Sequence, residues 1–525
     1  MSGASFTALI AASLFGAAPP VDPGTPPAGP GAAIASPGTA PAAPSTPPAA
    51  TDDSSAVMSV SPKDCIARAL EENLELQVDR IAPQLERADW MAARGRFEPS
   101  LGMSAEWEDA TSPIFPADRI PGGRRSDENE YTRYEGSLGG LLPTGLSYDI
   151  ASAANNHEGV AANFQSRWSS DLGITLTQPL LRDAGPGVQM AEIRIARKGA
   201  EAADAQLQYQ VSRTVADVLN AYVELIFRRD NQTARQEALD LATQLLKDNE
   251  TRVNIGVMSP LDVSQARTEV ATQTQNVIEA DRALREAQND LKRLMFRDVG
   301  PYLQTRMVPT ELPPVPSFAD PVLNVVHALE YRTDLVDKRL RLEQAGIHLR
   351  KAKNALLPYL NAFGGYRLLG LQDSIDESYE TTVDAYDRDW SVGVEVTIPL
   401  GMSKERGEKK RALLEQEKAV LAVKQMEQNI IVEVDNAAQA VLANEKKVDA
   451  AREARQYAYE SLMAEQEKLN AGASTTFVVA QLQRDLAFAR SNELRAYADW
   501  QKSVVELAHQ EGTLLMRLDI AFKAP

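Results

Sequence analysis

Two stretches of the chain repeat each other across nearly everything after residue 60. Asn254-Ile255-Gly256 matches Asn470-Ala471-Gly472 at an offset of 216 residues, and the same offset lays the segment Val215 to Ala221 over Ile431 to Ala437. Arg252 falls on Lys468, Leu246 on Leu462, Gln265 on Gln481 and Leu291 on Leu507. An earlier block repeats at 259: Ala69-Leu70-Glu71 matches Ala328-Leu329-Glu330, and Pro99 and Leu101 match Pro358 and Leu360. Units of this length are far longer than a solenoid repeat. They imply a duplicated domain whose halves build one symmetric object.

Each half carries the same signals in the same order. A helix of moderate length comes first, over 62–96 and again over 320–356, with apolar residues at helical spacing through Ile66, Ala69, Leu70, Leu74, Leu76 and Ile81. Pro99 and Pro358 stop it. The period then changes to two. Leu101, Met103, Ala105 and Trp107 alternate with Gly102, Ser104, Glu106 and Glu108. Leu172, Ile174 and Leu176 alternate with Gly173, Thr175 and Thr177, and Val392, Val394 and Val396 with Gly393, Glu395 and Thr397. Such alternation predicts strands with one apolar and one polar face. A sheet packed on a core is one reading, and a membrane barrel with its apolar face to lipid is the other. Strand lengths near those needed to cross a bilayer favour the barrel. So do the connecting segments Asp109 to Glu130 and Gln372 to Arg388, rich in charge, Gly, Ser and Pro as exposed loops are.

Very long helices follow, over 188–253 and 404–470. Leu207, Val211, Val215, Val218, Tyr222 and Leu225 step by threes and fours, a narrow stripe of the coiled-coil kind. About 65 residues at 1.5 Å each span roughly 100 Å. A glycine turn ends each helix, at Gly256 and Gly472, and a second long helix returns over 260–296 and 477–515. Glycine there suits a left-handed C-cap. Ser259 suits an N-cap, Pro260 the first helical position, and Asp262 closes a capping-box pattern.

The net charge of -18 speaks against a phosphate-binding surface and so against nucleic acid. The single cysteine, Cys65, excludes an internal disulfide and a thiolate metal cluster. His157, His327, His348 and His509 show no metal-ligand spacing, and no phosphate-binding loop, nucleophile elbow or HExxH is present. No catalytic, cofactor or metal site is expected. Residues 6–18 read as the apolar core of a signal peptide, although no Lys or Arg precedes them. The expected divisions are a signal peptide over 1–18, a disordered Pro/Ala-rich linker over 19–58, one repeat over 59–310 and a second over 311–525.

The order of helix, strands and long helical hairpin, given twice, resembles the TolC-like outer-membrane efflux family over roughly residues 60–518. The paired tips are the most specific pieces: Asn254, Gly256, Val257, Met258, Ser259 and Pro260 in one, Asn470, Gly472, Ala473, Ser474 and Thr475 in the other. The strand-to-helix junctions Thr177-Gln178-Pro179-Leu180-Leu181 and Thr397-Ile398-Pro399-Leu400 also fit. The resemblance implies a mainly α chain with a membrane β-barrel. Three chains, a homotrimer, would share one barrel of twelve strands amid the lipid of the Gram-negative outer membrane, above a periplasmic coiled-coil tunnel. The tips would meet a periplasmic adaptor, and through it an inner-membrane pump of the RND, ABC or MFS type, for efflux or type I secretion. A structural coiled-coil envelope protein without transport is the alternative. Many family members carry two aspartates after the second tip glycine that form a constriction ring. Val478 and Gln481 stand there in this chain, which leaves Asp262 of the first half as the acidic candidate, with capping as its simpler role. A second departure is an extra alternating pair, Tyr134 to Leu138 and Leu146 to Ile150, around the turn Pro143-Thr144-Gly145. It would either join the barrel or lie in an external loop.

Overall fold

The structure is a computed structural model that describes residues 57–113, 126–159, 167–256, 258–312 and 320–520. The expected signal peptide, nearly all of the expected linker, and Val257 of the first tip lie outside the described residues. In chain order the elements begin with β1 (Val57–Val60), α1 (Pro62–Glu72), α2 (Leu74–Asp79) and α3 (Ile81–Arg94). Four strands follow: β2 (Ser100–Pro113), β3 (Ser126–Leu141), β4 (Ser147–Gly159) and β5 (Arg167–Pro179). Then come α4 (Pro186–Gln189), α5 (Ala191–Asn254), α6 (Pro260–Met295) and β6 (Arg306–Pro309). The second half holds α7 (Pro321–Tyr331), α8 (Thr333–Asn354), β7 (Tyr359–Gln372), α9 (Ile375–Val383) and β8 (Asp387–Thr397). It ends with α10 (Ser403–Asn470), α11 (Thr476–Gln510) and α12 (Leu514–Arg517).

The moderate helix expected in each half is broken, and at matching places. Asn73 separates α1 from α2: its Oδ1 accepts from the Leu76 N–H at 2.9 Å and its Nδ2 donates to the Leu294 carbonyl at 2.9 Å. Arg332, which the repeat aligns with Asn73, separates α7 from α8. Buried at 3% exposure, it donates to both carboxylate oxygens of Asp334, to Glu433 and to Gln510. Both interruptions draw on distant partners, so helical spacing alone does not reveal them.

The long helices form where the period predicts them. Leu207, Val211, Val215, Val218, Tyr222 and Leu225 are all buried, but against α1, α6 and α12 of the same chain. That stripe therefore needs no neighbouring chain. Repeat-related positions are buried together: Val218 and Val434, Tyr222 and Ala438, Leu225 and Val441, Leu291 and Leu507, Ala69 and Ala328. Among the described residues one large core packs α1, α5 and α6 with the ends of α11 and α12, another packs α7, α8, α10 and α11, and a smaller one joins α5 to α11 at Val223, Phe227 and Ala498. On α10, by contrast, Leu413, Leu414, Leu421 and Val432 are exposed.

β1 and β6 form a small parallel pair that the sequence does not announce. Tyr222, fully buried, donates its hydroxyl to the Glu311 carbonyl at 2.8 Å just beyond β6. The other strands make one sheet in the order β2-β3-β4-β5-β7-β8, antiparallel throughout and open at β2 and β8. The extra alternating pair is β3 and β4, inside the sheet. Of the expected loops, Asp109 to Glu130 gives its first residues to β2 and its last to β3, and Gln372 to Arg388 contains α9.

Following the register across the sheet separates its two faces. One carries Leu101, Leu138, Ile150, Ile174, Tyr366 and Val392. The other carries Glu106, Arg133, Glu135, Asp149, Asp171, Arg367 and Glu395, with acids in excess. α9 lies on the apolar face at the end far from the helices. There the strands turn small and polar: Ser170 hydrogen-bonds Ser378 at 2.8 Å and Thr382 at 2.7 Å, and Ser152 meets Tyr379 at 3.0 Å. Gly370 allows this approach, since a β-carbon there would stand 2.1 Å from the Ser378 carbonyl oxygen.

Candidate functional site: the two hairpin tips

Each tip is a helix end, a left-handed glycine and a new helix start. In the first, the Gly256 N–H donates to the Val253 carbonyl at 2.9 Å and Gly256 takes φ +82°. In the second, Gly472 takes φ +76°, its N–H reaches Leu469 at 3.1 Å and the Ala473 N–H reaches Lys468 at 2.8 Å. That pair of bonds is the Schellman pattern, which satisfies the last carbonyls of the helix. Open space surrounds the β-carbon position at both glycines, so the dihedral is what demands glycine there, rather than crowding.

The restarts differ. The Ser259 N–H donates to Asp262 Oδ2 at 3.2 Å while Ser259 Oγ accepts from the Leu261 N–H at 3.2 Å, which is the capping box foreseen from the sequence. Thr475 precedes α11 with no side-chain cap. The second tip is instead tied backwards. Ser474 Oγ donates to Glu465 Oε1 at 2.5 Å and the Lys468 ammonium to Oε2 at 2.9 Å. The Ser474 hydroxyl, then the Lys468 ammonium, hold the Glu465 carboxyl below its ordinary range.

Asn254, Gly256, Ser259, Pro260, Asn470, Gly472, Ala473 and Thr475 are exposed, whereas Met258 and Ser474 are half-buried. Of the residues considered for a constriction, Val478 and Gln481 are exposed and carry no charge. Asp262 is half-buried, and both its oxygens are engaged: Oδ2 in the cap and Oδ1 with the Thr476 hydroxyl at 3.4 Å. That contact joins the starts of α6 and α11, the returning helices of the two hairpins. Farther from the tips Arg484 on α11 pairs with the buried Glu269 on α6 at 2.6 Å. Helical spacing does not single out this inter-hairpin clamp. Its only signal was opposite charge on two aligned helices, which is common on any long helix.

Among the described residues no group of His, Cys, Asp and Glu is placed to hold a metal ion. His509 is buried with Nδ1 at 3.0 Å from the Ser212 hydroxyl, and His157 stacks on Tyr131 at 4.5 Å. Both are structural contacts. No helix among the described residues is long and apolar enough to cross a membrane.

Residues 65–295 and 324–513 match the outer membrane efflux protein family. No curated protein matches the chain. Several solved structures do. The outer membrane channel CmeC of Campylobacter jejuni is 17% identical, with a TM-score of 0.64 over 86% of each chain. The outer membrane protein VceC of Vibrio cholerae is 16% identical, with a TM-score of 0.63 over 86% of this chain and 96% of its own. The open-state MtrE outer membrane channel of Neisseria gonorrhoeae is 18% identical, with a TM-score of 0.58 over 86% of this chain and 89% of its own. At these identities the likeness is one of fold. The family match spans most of the sequence, in two blocks that each hold one tip: this chain belongs to the outer membrane efflux protein family, and its place is the outer membrane.

Proposed function

We propose that the chain is a passive exit duct, formed by three copies and coupled through a periplasmic adaptor to an inner-membrane pump. The observation that carries this is a sheet whose apolar face is exposed outside the patch that α9 covers, mounted on hairpins of great length. Met103 is 79% exposed, Val392 77% and Val394 64%, and among the described residues only α9, at the far end, packs on that face. Apolar area of this extent on an aqueous protein would aggregate, whereas lipid accepts it. α5, with 64 residues, and α10, with 68, each reach about 100 Å.

On this reading the repeats arise by duplication and give the tunnel near-sixfold symmetry. The exposed apolar residues of α10 meet neighbouring chains, the acid-rich face of the sheet lines the lumen, and the tips receive the adaptor. Energy comes from the pump, and the chain supplies no covalent chemistry. The mass of the detergent-solubilised protein tests the assembly: three copies are expected, and a stable monomer contradicts the duct.

A further inference from the structure

The family resemblance implies twelve strands in the barrel, yet the described residues of each chain place six in one sheet. The extra hairpin is interposed, not appended. β2 touches β5 only through β3 and β4, and the three pairings run without interruption from Ser100↔Gly139 to His157↔Arg167. Its turn is also pinned to the helical side. The Gly185 N–H donates to the Thr144 carbonyl at 3.0 Å and Gln178 Nε2 donates to it at 3.2 Å. Gly145, at φ +94°, lies so close that a β-carbon would stand 2.9 Å from the Asp183 carbonyl oxygen. A hairpin held at its turn and paired on both sides is wall.

The edges suit closure by copies of the same chain. The sheet has an even number of antiparallel strands, so β2 and β8 run in opposite directions, and β8 of one copy can pair antiparallel with β2 of the next. The register places Leu101, Met103 and Trp107 on the same face as Trp390, Val392 and Val394, so an apolar band continues across the joint. Neither edge strand carries a lysine or an interior proline, the residues that usually blunt an edge against pairing.

We propose that three copies close an eighteen-stranded barrel by β8-to-β2 pairing, giving this duct a mouth about half again as wide as twelve strands would, since barrel diameter grows roughly linearly with strand number. The proposal rests on the trimeric reading above. With strands about 4.8 Å apart and tilted about 40°, the barrel radius is about 18 Å for eighteen strands and about 12 Å for twelve. Equivalent backbone positions in three copies then stand about 31 Å apart or about 21 Å apart. The wider mouth suits bulky hydrated cargo over small ions alone.

Spin labels on the full-length assembled protein test this, with inter-copy distances read by pulsed electron resonance. One variant is Thr175→Cys on β5, a strand common to both geometries; Ser391→Cys on β8 repeats the test if the first fails to assemble. Cys65 is fully buried and stays unlabelled. A distance near 31 Å supports eighteen strands. A distance near 21 Å in a trimer overturns the strand count while leaving the duct intact. A labelled protein with no inter-copy distance removes the trimer, and both proposals with it.

Discussion

Gly256 and Gly472 show how narrow a requirement one residue can meet. Each caps a long helix in the left-handed region with nothing crowding its missing side chain. A left-handed residue other than glycine costs about 1–2 kcal/mol, small beside the packing of the hairpins. The double variant Gly256→Val, Gly472→Val should therefore fold and assemble in the outer membrane but lose export, because the tip backbone can no longer turn as an adaptor would need. Assembly by heat-resistant migration and export by cargo efflux are read separately, and normal export would count against tip docking. His509 makes a different prediction. Burial pushes its imidazole pKa below the ordinary 6.5. The unfolded chain then binds a proton that the folded chain resists, so stability is fully present above about pH 6.5 and is lost as pH falls through the lower folded value. In His509→Asn, which keeps a hydrogen-bonding group for Ser212, Tm should fall less between pH 7 and pH 5 than in the parent. An equal fall in both would remove His509 as a source.

The strands and long helices declare themselves in the sequence because each has a period, two or near 3.6, sustained over many residues. The tips declare themselves by glycine, serine, proline and aspartate in fixed places, and the cap at Ser259–Asp262 forms as those residues predict. What stays hidden is set by distant partners. Asn73 breaks a helix because the Leu294 carbonyl is beside it, and Arg332 because Glu433 and Gln510 are. β1 and β6 are four-residue strands too short to show a period. α9 hides because the side it packs on is Ser378 and Thr382, polar residues that read as loop. The sheet's two faces are the part of the functional reading most open to direct attack. Val394→Arg places a charge on the bare apolar face and should cost about 2–4 kcal/mol if it meets the bilayer midplane. Its amount in the outer membrane should drop, whereas Glu395→Arg should assemble normally and shift ion preference toward anions. The reverse pattern would invert the faces and put the barrel in doubt.

For the molecule as a whole, the two halves are alike in their helices and unlike in their strands. Among the described residues the first half gives four strands to the sheet and the second gives two. The offset between the halves therefore carries over the buried positions of the helices but not the sheet, since β3 and β4 have no counterpart at that offset. On the proposed duct, the acid-rich face of the sheet, with Glu106, Glu135, Asp149, Asp171 and Glu395 against Arg133 and Arg367, would give the lumen an excess of negative charge, which attracts cations and repels anions. The purified trimer reconstituted into a planar lipid bilayer puts the duct itself to the test. Discrete ohmic current steps with a reversal potential favouring cations under a salt gradient are expected. A correctly assembled trimer that inserts and passes no current, on its own or with tip variants that loosen the hairpin ends, would contradict the duct and return the chain to a structural role in the envelope.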